Sequence, residues 1–194
     1  MDALSLEVAG VSLPVISGGY IPGPEHPCAK CSGIQKTCCQ RAEILITSGD
    51  AARIARHTQR DDFEERRRPL DIAYFDQADD PNWIRYTFAE DGTRRVLKRR
   101  HDGDCTFLGP KGCTLPTDVR PLVCRLYPFT YVESGITGVE GEYCPVPRVV
   151  PPGQSLVETL GMRLEDAVRW HGMLYEELRT GGETDENRPY VRSA

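Results

Sequence analysis

Cys28-Ala-Lys-Cys31-Ser-Gly-Ile-Gln-Lys-Thr-Cys38-Cys39 brings four thiols into twelve residues of the chain. Two thiols three positions apart can bind one metal ion, because a tight turn brings both sulfurs to the same side. The adjacent pair Cys38 and Cys39 is constrained differently. Neighbouring side chains point to opposite faces of an extended segment and lie well apart around a helix. We therefore expect these two thiols to serve two different ions, or two corners of one cluster.

Four more cysteines follow, which gives the chain eight in all. The N-terminal sequence has no basic start and no unbroken apolar run, so we expect no export signal and a cytoplasmic protein. In a reducing compartment, clustered cysteines favour metal ligation over disulfides or free buried thiols, the two alternatives. The predicted metal ligands are Cys28, Cys31, Cys38, Cys39, Cys105, Cys113, Cys124 and Cys144.

The composition predicts a small soluble domain. The 194 residues include 15 prolines and 18 glycines, and 39% of the residues are hydrophobic, so we expect many loops and a modest core that a metal would stabilise. The net charge of −5 argues against binding to nucleic acid or to acidic membranes. No apolar run reaches the roughly 18 residues that a membrane-spanning helix needs.

We predict an α+β fold, in which a small, loop-rich, metal-stapled domain combines short β-hairpins, a few short helices and a long C-terminal amphipathic helix. Residues 1–27 are expected to form an irregular or β segment. The cysteine-cluster domain is predicted over 28–150, with a strand-helix-hairpin insertion over 43–100. The C-terminal helix is predicted over 155–181 and a disordered tail over 183–194.

The start of the insertion carries two clear local signals. Glu43-Ile-Leu-Ile-Thr47 is a short apolar run that fits a buried strand. Thr47-Ser-Gly-Asp50 has the form of a capping box, and it predicts a helix that carries Ala51, Ile54 and Ala55 inward.

The remainder of the insertion predicts a second helix and a hairpin. In residues 61–69 the acidic side chains come first, the basic side chains follow and a proline ends the segment. This order suits the dipole of a helix. Apolar residues alternate with polar ones over 84–88, which predicts a half-buried strand. A turn at Asp91-Gly92 would pair this strand with a returning strand over 94–100.

Three of the later cysteines fall on two predicted elements. Cys105 and Cys113 lie on either side of a Gly-Pro turn between two short strands, and a hairpin of this kind holds two sulfurs near each other. A short helix is predicted to open at Thr117-Asp118, to carry Cys124 and to end before Pro128.

The C-terminal third predicts one more hairpin and the long helix. The hairpin pairs residues 129–132 with 137–141. Ser155-Leu-Val-Glu158 is a second capping box. Apolar residues then follow at three- and four-residue steps to the glycines near 181, and this stripe should pack on the domain. Its members include Leu160, Leu164, Val168 and Leu174.

The combined cysteine pattern resembles that of a known family. The pattern reads C-x2-C-x6-CC, then C-T-F-L…G-C, then R-P-L-V-C-R-L-Y-P, then C-P, and it covers about residues 28–145. It resembles the zinc- or iron-chelating cysteine-cluster family of the YkgJ type, whose members are often labelled iron–sulfur oxidoreductases. The resemblance implies a metal-binding domain and implies little about a reaction.

Three functions fit this pattern. The first is an iron–sulfur protein with a [4Fe–4S] cluster, acting with a redox or protein partner in electron transfer or in protein-modification chemistry. The second is a binding module in which four-cysteine Zn²⁺ sites stabilise a loop-rich domain without catalysis. The third is an iron- or zinc-dependent enzyme with an open coordination position, acting on a peptide or protein.

No serine, histidine and acid constellation has useful spacing, so any catalytic role would fall on the metal or on charged residues beside it. Arg120 and Arg125 are the candidates, since a guanidinium can donate hydrogen bonds to a thiolate sulfur or to a substrate carboxylate. Surface pairing of these arginines with acidic residues is the alternative. His26 is an alternative ligand next to Cys28, and His171 fits a core position on the C-terminal helix.

Overall fold

The computed structural model describes residues 36–76, 78–141 and 143–181. The expectations for residues 1–27, for His26, Cys28 and Cys31, and for the tail over 183–194 lie outside the described residues. The α+β fold is confirmed: short helices and antiparallel strand pairs precede a long helix at the C-terminal end of the described chain. Within this part, no helix is both long and apolar enough to cross a membrane.

The elements in chain order are α1 (Cys38–Arg41), α2 (Ser48–Thr58), β1 (Glu64–Arg67), a 3₁₀ helix (Ile72–Phe75), α3 (Pro81–Thr87), β2 (Arg94–Leu97), β3 (Leu108–Gly109), β4 (Gly112–Cys113), α4 (Leu122–Leu126), β5 (Phe129–Val132), β6 (Gly135–Val139), α5 (Val146–Val149), α6 (Leu156–Thr159) and α7 (Leu164–Gly181). The strands form three separate antiparallel ribbons: β1 with β2, β3 with β4, and β5 with β6.

The apolar run over 43–47 divides the interior into two cores, because alternate side chains of an extended segment point to opposite sides. Ile44 and Ile46 face one core and Leu45 faces the other. The run is extended and buried as predicted. Its pairing is limited to the bridge between Leu45 and Val96, flanked by a hydrogen bond from Leu97 N to Ile44 O of 2.9 Å.

One core, which we call the thiol-side core, consists of Ile44, Ile46, Ile54, Phe63, Leu97, Cys105, Phe107, Leu108, Leu115 and Val119. The other, the aromatic-side core, consists of Leu45, Leu122, Leu126, Phe129, Ala167, Leu174, Tyr175 and Leu178, with partly buried aromatic side chains packed against it.

The first predicted capping box is confirmed at the start of α2. The Asp50 amide donates to Thr47 Oγ1 at 2.9 Å, and the Thr47 amide donates to Asp50 Oδ2 at 3.2 Å. Two backbone donors that the first helical turn leaves without partners are thereby satisfied. The helix buries Ile54 completely, and it packs Ala51 and Ala55 against the thiol-side core, as predicted.

Two elements of the insertion differ from the prediction. The prediction of a helix over 61–69 is wrong, because this segment contains strand β1, which pairs with β2. Phe63 enters the thiol-side core, and its carbonyl accepts a hydrogen bond from Lys98 N at 2.8 Å. Burial of this ring and pairing with β2 outweigh a charge order that is worth only about 0.3–1 kcal/mol per residue.

The strand expected over 84–88 is also wrong, since residues Pro81–Thr87 form helix α3. Proline at the first helical position has its φ angle preset for a helix. The Thr87 hydroxyl donates to the carbonyl of Trp83 at 2.8 Å, inside the same helix. The returning strand is confirmed in part, as β2, with β1 as its partner; Phe88 makes only an isolated bridge to Arg94.

The later hairpins are confirmed with shifted ends. The strands predicted around the Gly-Pro turn are β3 and β4; Cys113 lies in β4, whereas Cys105 precedes β3 and bridges to Arg99. The predicted short helix is confirmed as α4, which begins at Leu122 rather than near Thr117. The ribbon of β5 and β6 joins Phe129–Val132 to Gly135–Val139.

The C-terminal region forms two helices rather than one. The capping box of Ser155 and Glu158 is confirmed, but helix α6 ends at Thr159. Gly161 has a φ of 63°, a left-handed conformation that interrupts a helix and favours glycine. Helix α7 then begins at Leu164 and continues to Gly181.

The apolar stripe of the long helix is confirmed in its second half only. Leu174 is completely buried in the aromatic-side core, while Leu160 is half-buried. The predicted packing of Leu164 and Val168 is wrong, because these side chains are 54% and 55% exposed. The break at Gly161 starts α7 as a separate helix, whose first turn buries Ala167 in the core and leaves Leu164 exposed.

Candidate metal centre

Backbone hydrogen bonds bring the cysteine doublet next to a distant cysteine. Cys38 and Cys39 are the first residues of α1, whose capping box joins Thr37 and Gln40. The carbonyl of Cys39 accepts a hydrogen bond of 2.8 Å from the amide of Cys105. Two segments far apart in the sequence are therefore fixed together at their cysteines.

The β3–β4 ribbon and helix α4 bring two further cysteines to the same place. Cys113 pairs with Leu108 across the ribbon, whose tight turn uses Gly112 at a φ of 94°. Cys124 is the third residue of α4. Cys39, Cys113 and Cys124 all pack, partly buried, against the thiol-side core that includes Cys105. We call Cys39, Cys105, Cys113 and Cys124 the thiol group.

Burial and mutual repulsion raise the pKa values of Cys105, Cys113 and Cys124. Burial raises the pKa of Cys105 to about 12, and the charges of Cys39 and Cys113 add to this rise. Burial likewise raises the pKa of Cys113 and, to a larger extent, that of Cys124, which also feels the other three members. A bound metal ion would have to displace the thiol protons, because thiolates and not thiols are metal ligands.

Two other cysteines lie beside a tyrosine. The Tyr127 hydroxyl donates to the sulfur of Cys144 at 3.4 Å. Burial, this hydrogen bond and the nearby charges of Cys144 and Cys38 raise the pKa of Tyr127. Cys144 is therefore in contact with this tyrosine, and Cys38 lies close enough for its charge to act on it.

The two thiols of the doublet lie close to each other, and their division between different ions stays a prediction. The Cys39 thiol is hydrogen-bonded to Cys38, and this contact, with burial, raises the pKa of Cys39 far above its ordinary value. In a helix, neighbouring residues are rotated by about 100° rather than 180°, and a thiol can turn about its single side-chain bond. Cys38 thus lies between the thiol group and Cys144.

All six described cysteines are free thiols. Over residues 36–76, 78–141 and 143–181, no three histidine, cysteine, aspartate or glutamate side chains converge tightly enough to hold a single metal ion. The chemistry of the donors nevertheless fits Zn²⁺ or an iron–sulfur centre, both of which bind thiolates. The thiol group would supply four such ligands.

Arg120 lies beside the thiol group, and its role in assisting the ligands stays a prediction. Its charge lowers the pKa of Cys39 and Cys113 and opposes the effect of burial, and it hydrogen-bonds to Cys113. Its Nε donates to the carbonyl of Leu115 at 2.9 Å, which fixes the guanidinium. The Nη2 nitrogen of Arg120 is buried and has no hydrogen-bond partner among the described residues.

Arg125 has a different role from the one predicted. Its Nε donates to the carbonyl of Arg120 at 2.7 Å, and its Nη2 donates to the carbonyl of Asp118 at 2.6 Å. These bonds hold the loop before α4. The alternative of surface pairing with acidic side chains is also wrong, since the side chain is buried against backbone carbonyls.

Arg99 is a second cation beside the thiols that the sequence analysis did not identify. Its charge lowers the pKa of Cys39 and Cys105, and its guanidinium donates to the carbonyls of Ala42 and Gly103. The available signal was its position in the basic run over 94–100, shortly before Cys105. Because alternate side chains of an extended segment point to opposite sides, only some of the basic side chains in that run face the cysteines.

His171 occupies the core position predicted for it. Its Nε2 lies 2.8 Å from the carbonyl oxygen of Val132, and its ring packs against Tyr131 and Tyr175. It belongs to the aromatic-side core and makes no contact that would bring it to the thiol group.

Comparison with protein-family models identifies residues 27–145 as a CxxCxxCC domain, described as a putative zinc- or iron-chelating domain. Comparisons with curated proteins and with solved structures give no match. The family model covers more than half of the chain, so this protein belongs to the CxxCxxCC family of zinc- or iron-chelating domains.

Proposed function

We propose that this protein binds an iron–sulfur cluster through the thiol group and exchanges electrons with a redox partner protein. One observation carries the proposal: four thiols from four separate segments gather on one core, with Arg99 and Arg120 beside them. Family membership supports chelation of zinc or iron in general. Family membership does not distinguish an iron–sulfur cluster from a zinc ion.

Four thiolates are the ligand number of a [4Fe–4S] cluster and of a closed Zn²⁺ site alike. A cluster spreads its thiolates over several iron atoms, and the charged and apolar neighbours of the thiol group favour it.

The residues around the thiol group suit an iron–sulfur cluster, which carries a net negative charge together with its thiolates. Four thiolates carry more negative charge than the combined iron and sulfide core of a [4Fe–4S] cluster neutralises, and the guanidinium groups of Arg99 and Arg120 would balance part of the excess. Apolar side chains of the thiol-side core, such as Phe107 and Leu115, exclude water from one side. Both features tune the reduction potential of a cluster.

The test is anaerobic purification followed by elemental analysis and an absorption spectrum. The proposal predicts a brown protein that contains iron and acid-labile sulfide in equal amounts. A colourless protein with stoichiometric zinc would overturn the cluster in favour of a zinc module. A protein with neither metal would overturn metal binding by the thiol group altogether.

The zinc-stapled binding module is the second candidate, and the grouping of the cysteines favours it. The thiol group uses four cysteines, and the two remaining described cysteines, Cys38 and Cys144, both lie near Tyr127. With Cys28 and Cys31, this pair would complete a second set of four. Closed four-cysteine shells of this kind are structural in Zn²⁺ proteins.

Single serine substitutions in the doublet test this division. Cys39→Ser should remove the metal of the thiol group, whereas Cys38→Ser should remove a different centre. Both effects are measured as metal content per chain. If each substitution abolishes the same centre and leaves any other intact, the division into two sets of four is wrong.

A further inference from the structure

We propose that Asp50 is a positioning residue that fixes Cys124 in the metal centre by capping the helix that carries this cysteine. The inference rests on the proposed function, because it assigns a role toward the same centre. Asp50 lies far from Cys124 in the sequence and belongs to a different helix.

The carboxylate of Asp50 makes a direct contact with helix α4. The amide of Leu122, the first residue of α4, donates to Oδ1 at 3.1 Å and to Oδ2 at 3.3 Å. The first amides of a helix have no partner within the helix. The N-cap residue of α4 is Pro121, which supplies no side-chain hydrogen bond. The acid from α2 therefore takes over the capping function.

The carboxylate is itself held from two further directions. Arg53 Nη2 donates to Asp50 Oδ1 at 2.6 Å, and the Thr47 amide donates to Oδ2. Arg53 Nη1 in turn pairs with Glu177 Oε1 on α7 at 2.5 Å. Asp50 is completely buried, so no water competes for these bonds. Its position is thus determined by three helices.

The orientation of α4 decides where the sulfur of Cys124 points. The helix is five residues long and lies between the two cores. Leu122 and Leu126 pack into the aromatic-side core, while Cys124 packs against the thiol-side core. A helix of one turn has little hydrogen bonding of its own. Without the cap at Leu122, α4 would no longer be fixed in its rotation about its own axis. The sulfur of Cys124 would then no longer point in one direction.

Asp80 provides a matched control. It is also a buried carboxylate, at 4% exposure, and it accepts a hydrogen bond from the hydroxyl of Tyr175. That contact belongs to the aromatic-side core and does not involve α4. Asp80→Asn therefore reproduces the loss of a buried charge without touching the cap.

The experiment compares the full chain, prepared free of metal, with its Asp50→Asn and Asp80→Asn variants, using Co²⁺ as the probe. Competition with a chelator gives the affinity, and the sulfur-to-cobalt absorption bands report the ligand geometry. We expect Asp50→Asn to weaken Co²⁺ binding about 10- to 100-fold, the range for residues that orient metal ligands, and to change these bands. Asp80→Asn should lower the melting temperature but leave affinity and bands unchanged.

Equal affinity and identical bands in the Asp50→Asn and wild-type proteins would overturn the role of Asp50. A wild-type chain that binds neither Co²⁺ nor a cluster reconstituted from Fe²⁺ and sulfide would instead overturn the proposed function; if it takes up only the cluster, iron and sulfide content replaces Co²⁺ affinity in the comparison of the variants. If Asp50→Asn does not fold, Arg53→Gln takes its place, since Arg53 is partly exposed and orients the same carboxylate. We expect a smaller weakening in that variant, and unchanged Co²⁺ affinity would then overturn the inference.

Discussion

The thiol-side core and the aromatic-side core meet at helix α4, yet their boundaries are built differently. The thiol-side core packs against helix α2 on one side and lies against two-residue strands, loops and the four cysteines of the thiol group on the other. The aromatic-side core is covered by the 18-residue helix α7 and by a chain of ring contacts. Among these contacts, the ring centroids of Trp83 and Tyr175 are 6.1 Å apart, and those of His171 and Tyr175 are 4.8 Å apart.

This difference indicates which side of the domain depends on a metal. Apolar burial and ring contacts stabilise the aromatic-side core without any added group. In the thiol-side core the elements that carry the cysteines are short, and the thiols would supply metal ligands rather than stable pairing. We therefore expect the two cores to respond differently when the metal is removed, when a core side chain is truncated and when the pH changes.

Metal removal should have the largest effect. Binding free energy becomes folding free energy where no rigid site exists beforehand, and it reaches about 10–16 kcal/mol for structural zinc in small peptides. A strong chelator should unfold the thiol side, including β3, β4 and α4, while helix α7 keeps part of its helicity. Hydrogen exchange followed by segment measures both. An unchanged melting temperature in the metal-free protein would show that the metal is not part of the fold.

Truncation on the aromatic side should have an intermediate effect that leaves the metal in place. Leu174 is completely buried, so Leu174→Ala should cost about 2–5 kcal/mol of unfolding free energy. Leu164 is on the same helix but exposed, so Leu164→Ala should stay within about 0.5 kcal/mol of wild type. Denaturant unfolding measures the free energies, and elemental analysis measures the metal. Loss of metal in Leu174→Ala would mean that the two cores are not separable.

Acid should have the smallest of the three effects, through Glu177. Burial disfavours the charge of this side chain, but hydrogen bonds from Arg53 and Thr47 outweigh burial and lower its pKa below the usual 4.5. A carboxylate with a lowered pKa in the folded state stabilises the fold above its unfolded pKa, and this contribution is lost as the pH falls through the folded value.

Melting curves of wild type and Glu177→Gln at decreasing pH measure this contribution. Below pH 4.5 the melting temperature of the wild type should fall more steeply than that of the variant, because only the wild type protonates Glu177. Acid release of metal affects both proteins alike and cancels in the difference. Parallel curves would contradict the assignment to Glu177.

The sequence predicted those features that depend on local chemistry. The capping boxes at Thr47 and Ser155 form as expected, since their hydrogen bonds involve residues three positions apart. The turn-defined strand pairs around Gly109-Pro110 and after Phe129 are also present. The fold class followed from the same local signals.

The features that depend on distant partners could not be predicted in this way. Whether residues 64–67 form a strand is decided by β2, which lies well beyond them in the sequence. The alternation over 84–88 was a weaker signal than Pro81 at the first turn of a helix. In the site, the cap from Asp50 to Leu122 and the approach of Arg99 to Cys39 arise only from tertiary packing.

The metal content of Cys124→Ser shows whether the thiol group holds a metal centre. Serine keeps nearly the size of the side chain but removes the thiolate, and Cys124 belongs to the thiol group through helix α4. Wild type and variant are purified anaerobically, and iron, zinc and sulfide are measured per folded chain. We predict that the variant lacks the metal of one complete centre. A folded Cys124→Ser protein with the same metal content as wild type would contradict that prediction.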